Sequence, residues 1–313
     1  MDTQMRRFNS FGRFAREKFG RRLQKVNIDA GFTCPNRDGT LGVGGCVYCN
    51  NDSFRPAGCQ SALPVREQLE HGISYLGRRY KAGLFLAYFQ PFTNTYAPVE
   101  ELERLYLEAL AHPLVAGLAI GTRPDCVDES KIALLEKLAQ SHFILIEYGL
   151  QSMYEKSLRF IERGHGLDAF IKAVEMTAGR GIHIGAHLIA GIPSETREES
   201  LLMAEWISGL APVGFLKLHQ LQVVRRTKLA RLYAGRPFPV FGYGEYIGFV
   251  ADFLERLRAD IVIQRLFATA PEEMLVAPRW ESDKHRILQD IEAELARRDT
   301  FQGRLRAAGG ASV

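Results

Sequence analysis

Residues 29–50 read DAGFTCPNRDGTLGVGGCVYCN and contain three of the five cysteines of the chain, Cys34, Cys46 and Cys49. The spacing of Cys46 and Cys49 allows two thiolates to bind one centre. Cys34 precedes Cys46 by 12 positions across a loop with four glycines, and glycine permits the positive φ angles of a loop that folds around a bound group. The stretch follows a predicted strand at residues 25–29. It therefore predicts a metal centre at the carboxyl end of the first strand, where barrel enzymes place their chemistry.

Strand and helix patterns alternate along the chain after this loop. Apolar runs predict five more strands at residues 84–89, 117–121, 143–149, 183–190 and 215–221. Amphipathic stretches predict helices at residues 65–80, 99–111, 128–139, 153–162, 167–180 and 194–210. Such alternation is typical of βα units and a parallel sheet. Six units fall short of the closed eight-fold barrel, so the predicted fold is α/β, a partial TIM-like barrel of about six strands with a small C-terminal extension.

The barrel pattern divides the chain into three predicted parts. A basic segment (residues 1–24) precedes the barrel (residues 25–224), and an α/β extension (residues 225–313) packs on it. Within the extension, the sequence predicts helices at residues 241–258 and 286–305 and a β-prone run at residues 261–267.

Composition excludes several classes of protein. The 313 residues are 46% apolar and 24% charged, with a formal net charge of +4, which is typical of a globular chain and not of a disordered one. An odd number of cysteines, clustered in one region, does not favour a disulfide scaffold. The apolar runs are too short to span a membrane, and the N-terminus lacks the apolar core of a secretory signal. We therefore expect a cytoplasmic protein with no membrane partner.

The cysteine cluster is compatible with several kinds of site. A structural zinc ion would need a fourth ligand, for which Cys59 is a candidate. A redox pair of the thioredoxin kind needs Cys46 and Cys49 alone. A [4Fe–4S] cluster held by three thiolates would leave one iron open. Three buried unliganded thiols fit poorly with a polar, glycine-rich loop. Cys59 can be a free loop thiol or touch substrate, and Cys126 can be structural or face the site.

Three cysteines after the first strand of a partial barrel, with the aromatic Tyr48 between the last two, resemble the radical S-adenosylmethionine (AdoMet) superfamily. The usual spacing there is C-x3-C-x2-C, whereas 11 residues separate Cys34 and Cys46 here. The longer gap is similar to that of the branch around the Elongator catalytic subunit. The sequence resembles the small bacterial YhcC/YtqA-type radical AdoMet proteins more closely. The stretches that carry this resemblance are CPNRDGTLGVGGCVYCNNDSF (34–54), YFQPFTNTY (88–96), IGTRPDCV (120–127), EYGLQS (147–152), RGH (163–165) and HLIAGIPSET (187–196).

The resemblance, which covers roughly residues 27–221, implies an enzyme with one [4Fe–4S] cluster on Cys34, Cys46 and Cys49 and with AdoMet on the open iron. An electron from a donor such as flavodoxin or ferredoxin then cleaves AdoMet to a 5′-deoxyadenosyl radical, which takes a hydrogen atom from the substrate. No catalytic side chain is assigned beyond the cluster and AdoMet. The cofactor-binding positions that the resemblance carries over are Tyr48, Phe89, Gln90, Thr122, Arg123, Glu147, Gln151, Arg163 and Ile189.

Several of these side chains also have a purely structural interpretation. Arg123 can pair with Asp125 to brace a turn, and Arg163 can be a solvated helix end. His187, Lys217 and His219 lie on predicted strands, where a histidine is commonly a satisfied core group. Lys217 and His219 fall on the same face of one strand, so both are candidates for substrate contact inside the barrel.

Basic residues occur in two clusters. Seven Lys or Arg and one acid lie between residues 6 and 22, interleaved with four phenylalanines, and Arg225 and Arg226 begin a second cluster after the sixth predicted strand. Basic and aromatic residues together suit an RNA backbone and stacked bases, but the first cluster also fits an amphipathic helix with its phenylalanines inward.

The resemblance favours tRNA as the substrate. Elongator relatives act on the 5-substituent of the wobble uridine, and the YhcC/YtqA type is linked with conversion of a carboxymethylaminomethyl group to aminomethyl. The alternatives are a radical AdoMet enzyme acting on a small molecule or a protein, and a non-enzymatic RNA-binding module with zinc or an iron–sulfur cluster.

Overall fold

A curled parallel sheet forms the centre of the molecule in the computed structural model, which describes residues 7–53, 59 and 61–309. Seven strands follow one another from edge to edge in the order β1-β2-β3-β4-β5-β6-β8. A two-stranded antiparallel pair, β7 with β9, lies apart from it. The strands are β1 (Leu23–Ile28), β2 (Leu84–Phe89), β3 (Val115–Thr122), β4 (Phe143–Gln151), β5 (His183–Ala190), β6 (Val213–Gln220), β7 (Val223–Val224), β8 (Val262–Arg265) and β9 (Leu275–Ala277).

Helices connect the strands and cover the outer face of the sheet. Their apolar sides meet the outward-facing strand residues in one large core, which includes Leu69, Tyr106 and Phe170. The helices are α1 (Phe11–Phe19), α2 (Val65–Tyr80), α3 (Val99–Leu110), α4 (Glu129–Ala139), α5 (Glu155–Phe160), α6 (Leu167–Thr177), α7 (Arg197–Gly209), α8 (Lys228–Gly235), α9 (Tyr243–Arg256), α10 (Lys284–Arg297) and α11 (Arg304–Gly309).

The sheet confirms the predicted α/β partial barrel and adds one strand to it. All six predicted strands are present, but the run at residues 261–267, expected in the C-terminal extension, contains β8, which pairs in parallel with β6. Val262 and Ile263 of β8 are both buried. Seven strands therefore build the half-barrel instead of about six, because this short run has apolar side chains for both faces of the sheet.

Two predicted helices differ in the structure. The helix predicted from residue 194 begins at Arg197, because Thr196 is the N-cap and forms a capping box with Glu199, which satisfies free backbone N–H groups of the first turn. The helix predicted at residues 286–305 is two helices, α10 and α11. The chain between them has positive φ at Asp299 (46°) and Gly303 (86°), and such a backbone cannot continue a right-handed helix.

The N-terminal basic segment closes the bottom of the barrel. The ring of Phe14 in α1 lies 5.0 Å from that of Phe215 and 5.9 Å from that of Phe143, whereas Arg13 and Arg16 are exposed. Within its described part, from residue 7 onward, this is the amphipathic arrangement with phenylalanines inward. Its aromatic rings therefore pack, partly buried, against the floor of the barrel; residues 1–6 lie outside the described part.

Candidate functional site

A cavity of about 910 Å³ opens at the carboxyl ends of the strands. Its wall combines the cysteine loop, inward-facing strand residues and the segment after β8. The candidate residues that line it are Cys34, Cys46, Tyr48, Cys49, Gln90, Thr122, Arg123, Glu147, Gln151, Arg163, His187, Ile189, Lys217 and His219. Strands β1 to β6 and the loops that follow them thus bring residues from the whole barrel to one space.

The cysteine loop is held over the barrel by backbone contacts. Val47 donates its N–H to the carbonyl of Ile161 at 3.0 Å and accepts from the N–H of Leu229 at 2.7 Å. Gly44 and Gly45 turn the loop with φ of 90° and 87°, a region that residues with a Cβ rarely adopt. The glycines predicted to shape the loop therefore do so immediately before Cys46.

Polar donors face the sulfur of Cys46. Asn36 Nδ2 and Arg163 Nη1 each lie 3.5 Å from Cys46 Sγ. Arg37 donates to the backbone carbonyl of Cys49 at 2.8 Å. Burial raises the pKa of the Cys49 thiol and the neighbouring Cys46 adds to this, whereas Arg37 acts in the opposite sense. Three thiols with cationic and amide donors beside them form a soft donor set of the kind that iron–sulfur clusters take.

The two remaining cysteines lie away from this donor set. Cys59 Sγ lies 3.7 Å from the carbonyl oxygen of Gln90, and neither Cys59 nor Cys126 lines the cavity. Burial raises the pKa of Cys126 to about 12. Among the described residues, no three His, Cys, Asp or Glu side chains are arranged so as to hold a single metal ion. Three thiols at one cavity suit a cluster, in which each thiolate binds a separate iron.

Two buried arginines connect the cysteine loop to the strand ends. Arg163 donates from Nε and Nη2 to the carbonyl of Gly149 at 3.2 and 2.7 Å. A Cβ at Gly149 would lie 2.6 Å from Arg163 Nη2, so a larger residue there would have to displace this guanidinium. Arg123 forms a bidentate pair with Asp125 at 2.9 and 2.7 Å and donates to the carbonyl of Arg163. Arg123 thus braces the turn while also lining the cavity, and Arg163 is not a solvated helix end.

Strand alternation decides which side chains of the β2 segment reach the cavity. Phe89, predicted as a cofactor contact, is fully buried on the outer face, with its ring 5.0 Å from that of Tyr106. Its neighbours Tyr88 and Gln90 line the cavity instead. The side chain of Phe89 points away from the cavity because successive residues of a strand point to opposite faces, and the contact that the resemblance implies there, largely through the backbone, stays a prediction.

The ends of β3 and β4 present polar groups at the same level as the arginines. Thr122 shares a 2.6 Å hydrogen bond with Thr95. Gln151 has a positive φ of 72° at an irregularity in the pairing of β4 with β5. Ile189 of β5 adds a buried apolar surface.

Glu147 belongs to a buried charge cluster inside the barrel. Its Oε1 accepts from Lys25 Nζ at 2.7 Å, and its Oε2 accepts from Lys217 Nζ at 2.5 Å and lies 3.1 Å from His187 Nε2. Lys217 also donates to the hydroxyl of Tyr88 at 2.6 Å. We call these five residues the polar layer. Three side chains thus hold the two oxygens of Glu147, which also lines the cavity, and its contact with a cofactor stays a prediction.

The side chains of the polar layer have pKa values that are strongly shifted from their ordinary values. Burial alone would raise the pKa of Glu147, but Lys217, Lys25 and His187 hold it well below its ordinary value. Burial lowers the pKa of both Lys25 and Lys217 against the attraction of Glu147. An ionised Glu147 with two lysines is therefore the arrangement that the geometry supports.

The acid sensitivity of the fold should depend on His187. Burial, with the charge of Lys217, lowers the pKa of His187 from 6.5 to about 4. Between these values the unfolded chain binds a proton that the folded chain does not, so the free energy of unfolding falls as the pH drops through this window and is regained above it. The free energy of unfolding, measured in urea, should fall by about 2 kcal/mol less between pH 7 and pH 5 in His187→Gln than in the wild type. The surface variant His285→Gln is the matched control. An equal fall in the free energy of unfolding in the wild type and in His187→Gln would contradict the lowered pKa of His187.

The basic residues after the sixth strand lie outside the cavity. Arg225 and Arg226 are exposed, and neither lines it. Arg225 instead accepts a hydrogen bond on its carbonyl from Asn50 Nδ2 at 3.0 Å, and Arg226 has a positive φ of 61°. These side chains therefore flank the mouth, because β7 turns the chain outward directly after β6.

Sequence reasoning missed several residues of the site. Lys25, Tyr88 and Arg265 contribute charge or hydrogen bonds from β1, β2 and β8, and Asn36 and Arg37 act inside the cysteine loop itself. The available signal was a lysine at position 25, on the face of β1 opposite the apolar Val26 and Ile28. For Arg265 there was none, since β8 was not expected in the barrel.

Comparison with known proteins shows which family this chain is similar to. The family described as the Radical SAM superfamily matches residues 34–207, and the Radical_SAM C-terminal domain matches residues 213–297. YtqA of Bacillus subtilis (strain 168) is 31% identical over 299 residues, which is 96% of this chain and 92% of that protein. YhcC of Escherichia coli (strain K12) is 33% identical over 273 residues, 87% of each chain.

Longer proteins match in part. A tRNA uridine(34) acetyltransferase of Methanocaldococcus infernus is 34% identical over 100 residues, 32% of this chain and 18% of that enzyme. The solved structure of archaeal Elp3 from Methanocaldococcus infernus shares the fold, with a TM-score of 0.69 at 17% identity over 90% of this chain. This chain spans 64% of that Elp3 chain. None of the described helices is both long and apolar enough to cross a membrane.

Proposed function

The chain belongs to the radical SAM superfamily and is a radical SAM enzyme, and on this premise we propose that Cys34, Cys46 and Cys49 hold one [4Fe–4S] cluster. The observation that carries the proposal is the donor set: three thiols line one cavity, and Asn36 and Arg163 lie 3.5 Å from the sulfur of Cys46. Hydrogen-bond donors and buried cations beside thiolates favour their anionic form. With AdoMet bound, the cluster supplies a 5′-deoxyadenosyl radical for hydrogen abstraction.

The strand ends beside the cysteines are the proposed AdoMet-binding surface. Tyr48, Gln90, Thr122 and Gln151 offer polar groups there, and Ile189 offers an apolar face. Arg163 and Arg123 are buried cations at the same edge. A large cavity with few placed polar groups suits a ligand of this size. These side chains would orient AdoMet, and the walls of the barrel would keep water from the radical.

The proposed substrate is tRNA at the wobble uridine. Support comes from the relatives named tRNA uridine(34) acetyltransferase and Elongator complex protein 3 and from exposed basic residues at the mouth, among them Arg225, Arg226 and Lys284, which suit a phosphate backbone. The reaction removes a hydrogen atom from the carboxymethyl carbon of a carboxymethylaminomethyl group. The carbon radical then gives up one electron to the oxidised form of the electron donor and one proton from nitrogen, which leaves an imine. Water hydrolyses the C=N bond of this imine, which leaves aminomethyl on the uridine and releases glyoxylate. The reaction takes place in the cytoplasm, with flavodoxin or ferredoxin as the electron donor.

Deletion of the gene tests this reaction in the cell. Total tRNA from a deletion strain should retain carboxymethylaminomethyluridine at the wobble position and lack the aminomethyl-derived nucleosides, as measured by mass spectrometry of nuclease digests. Complementation with the wild-type gene should restore them, and complementation with Cys49→Ala should not. An unchanged nucleoside profile in the deletion strain would contradict the tRNA substrate and favour a small molecule or a protein.

A further inference from the structure

The wall of the cavity has a large excess of positive charge. Among the described residues that line it, Glu147 is the one carboxylate, against six Lys or Arg: Arg37, Arg123, Arg163, Lys217, Arg265 and Lys284. Asp125 pairs with Arg123, and Arg37 and Arg163 lie beside the cysteines. In the polar layer, Glu147 is shared by two lysines, Lys25 and Lys217. The deeper part of the cavity therefore holds more cationic than anionic groups before any ligand enters.

Three neighbouring side chains there have unused hydrogen-bonding capacity. Lys217 uses two of its donors on Glu147 and Tyr88, and an ammonium group has three. His219 Nε2 is buried with no hydrogen-bond partner among the described residues. Arg265 forms no ion pair within the described part of the chain, although its charge reaches Lys217 and His219. Lys217 and the Nε2 atom of His219 are buried, where unsatisfied polar groups are costly. Arg265 is exposed and lines the same cavity, so the three groups together point to a ligand that accepts hydrogen bonds.

Strand pairing places the three side chains together. Lys217 of β6 is the Cα partner of Arg265 of β8, and His219 follows two residues later on the same face of β6. All three line the same cavity. We infer that Lys217, His219 and Arg265 form a binding site for a carboxylate group of the substrate.

This inference deepens the proposed function and rests on it. A guanidinium and an ammonium side by side suit a small planar anion. A carboxymethylaminomethyl group ends in such an anion, whereas the phosphates of an RNA backbone remain at the mouth of the cavity. The aminomethyl product has no carboxylate and would lose these contacts. The site thus selects the substrate over its product and fixes the carbon next to the carboxylate.

The experiment compares two synthetic anticodon stem-loop RNAs that differ at one group. One carries carboxymethylaminomethyluridine, and the other carries its uncharged primary amide. Dissociation constants are measured anaerobically by fluorescence anisotropy with the cluster-loaded enzyme and AdoMet, without reductant, so that no turnover occurs. The wild-type protein should bind the acid about tenfold more tightly than the amide, as expected for a charged hydrogen bond.

Variants then assign the preference to the site. Arg265→Gln should bind both RNAs nearly equally, and Arg265→Lys should retain part of the preference. Arg104→Gln, an exposed arginine on α3, should behave as wild type, and iron content checks that each variant is loaded. Equal binding of acid and amide by the wild type, or a full preference in Arg265→Gln, would overturn the inference.

Adding reductant separates this inference from the proposed reaction. A carboxylate preference that depends on Arg265, without conversion of the RNA, would support the binding site and contradict the reaction. Conversion of acid and amide RNAs with equal dissociation constants would support the reaction and contradict the site.

Discussion

Cys46→Ala should lose its iron and its ability to cleave AdoMet. After anaerobic reconstitution, the wild type should bind about four irons per chain and form 5′-deoxyadenosine with dithionite and AdoMet. The variant should fall to background in both measurements, because two thiolates cannot hold a cluster that needs three and because Asn36 and Arg163 would lose the sulfur that they contact. Cys34→Ala and Cys49→Ala should behave in the same way.

Two matched controls make this result specific. Cys126→Ala removes a buried thiol outside the cavity, and Cys59→Ala removes the thiol beside the carbonyl of Gln90. Both should retain full iron and form 5′-deoxyadenosine. Loss of iron in Cys59→Ala would favour a four-cysteine site, and full iron in Cys46→Ala would contradict the three-thiolate assignment. Zinc in place of iron would contradict the cluster itself.

Local pattern was sufficient to predict most of the sheet and the location of the site. Five of the six predicted strands, those from residue 84 onward, are short and largely apolar runs between amphipathic helices, so the identity of each depends on neighbouring residues alone. The cysteine loop follows β1 directly, and parallel strands bring all their carboxyl ends to one edge. Lys217 and His219, two residues apart on β6, were correctly expected on one inward face.

The polar layer could not be predicted in the same way. Its hydrogen bonds join residues 122 and 70 positions apart, from Lys25 and Lys217 to Glu147. A single sequence shows only that Glu147 interrupts an apolar run and so needs a partner. Nothing local distinguishes a lysine across the barrel from a cofactor group as that partner. Phe89 is a different case, because strand alternation alone places its side chain on the outer face, whereas the backbone contact implied there stays a prediction.

Glu147→Gln should lower the free energy of unfolding by about 3–5 kcal/mol, since it leaves the buried Lys217 and the partly buried Lys25 without a counter-charge. Glu147 is fully buried and Lys217 is 4% exposed, so water cannot replace the lost carboxylate. Adding Lys217→Met should recover part of the loss by removing one unpaired charge, and the double-mutant cycle gives the coupling energy. Urea unfolding, followed by the fluorescence of Trp206 and Trp280, measures all three variants.

A surface ion pair provides the control for this prediction. Glu103 pairs with Lys137 at 2.9 Å, with side chains 38% and 70% exposed, so Glu103→Gln should cost less than about 1 kcal/mol. The hydrogen-bond distances of the two pairs are similar, and only burial differs. If Glu147→Gln cost no more than Glu103→Gln, the lysines of the polar layer would have to be neutral in the folded protein. Arg265 would then be left as the cation of the carboxylate site, and the preference for the acid RNA would depend on it alone.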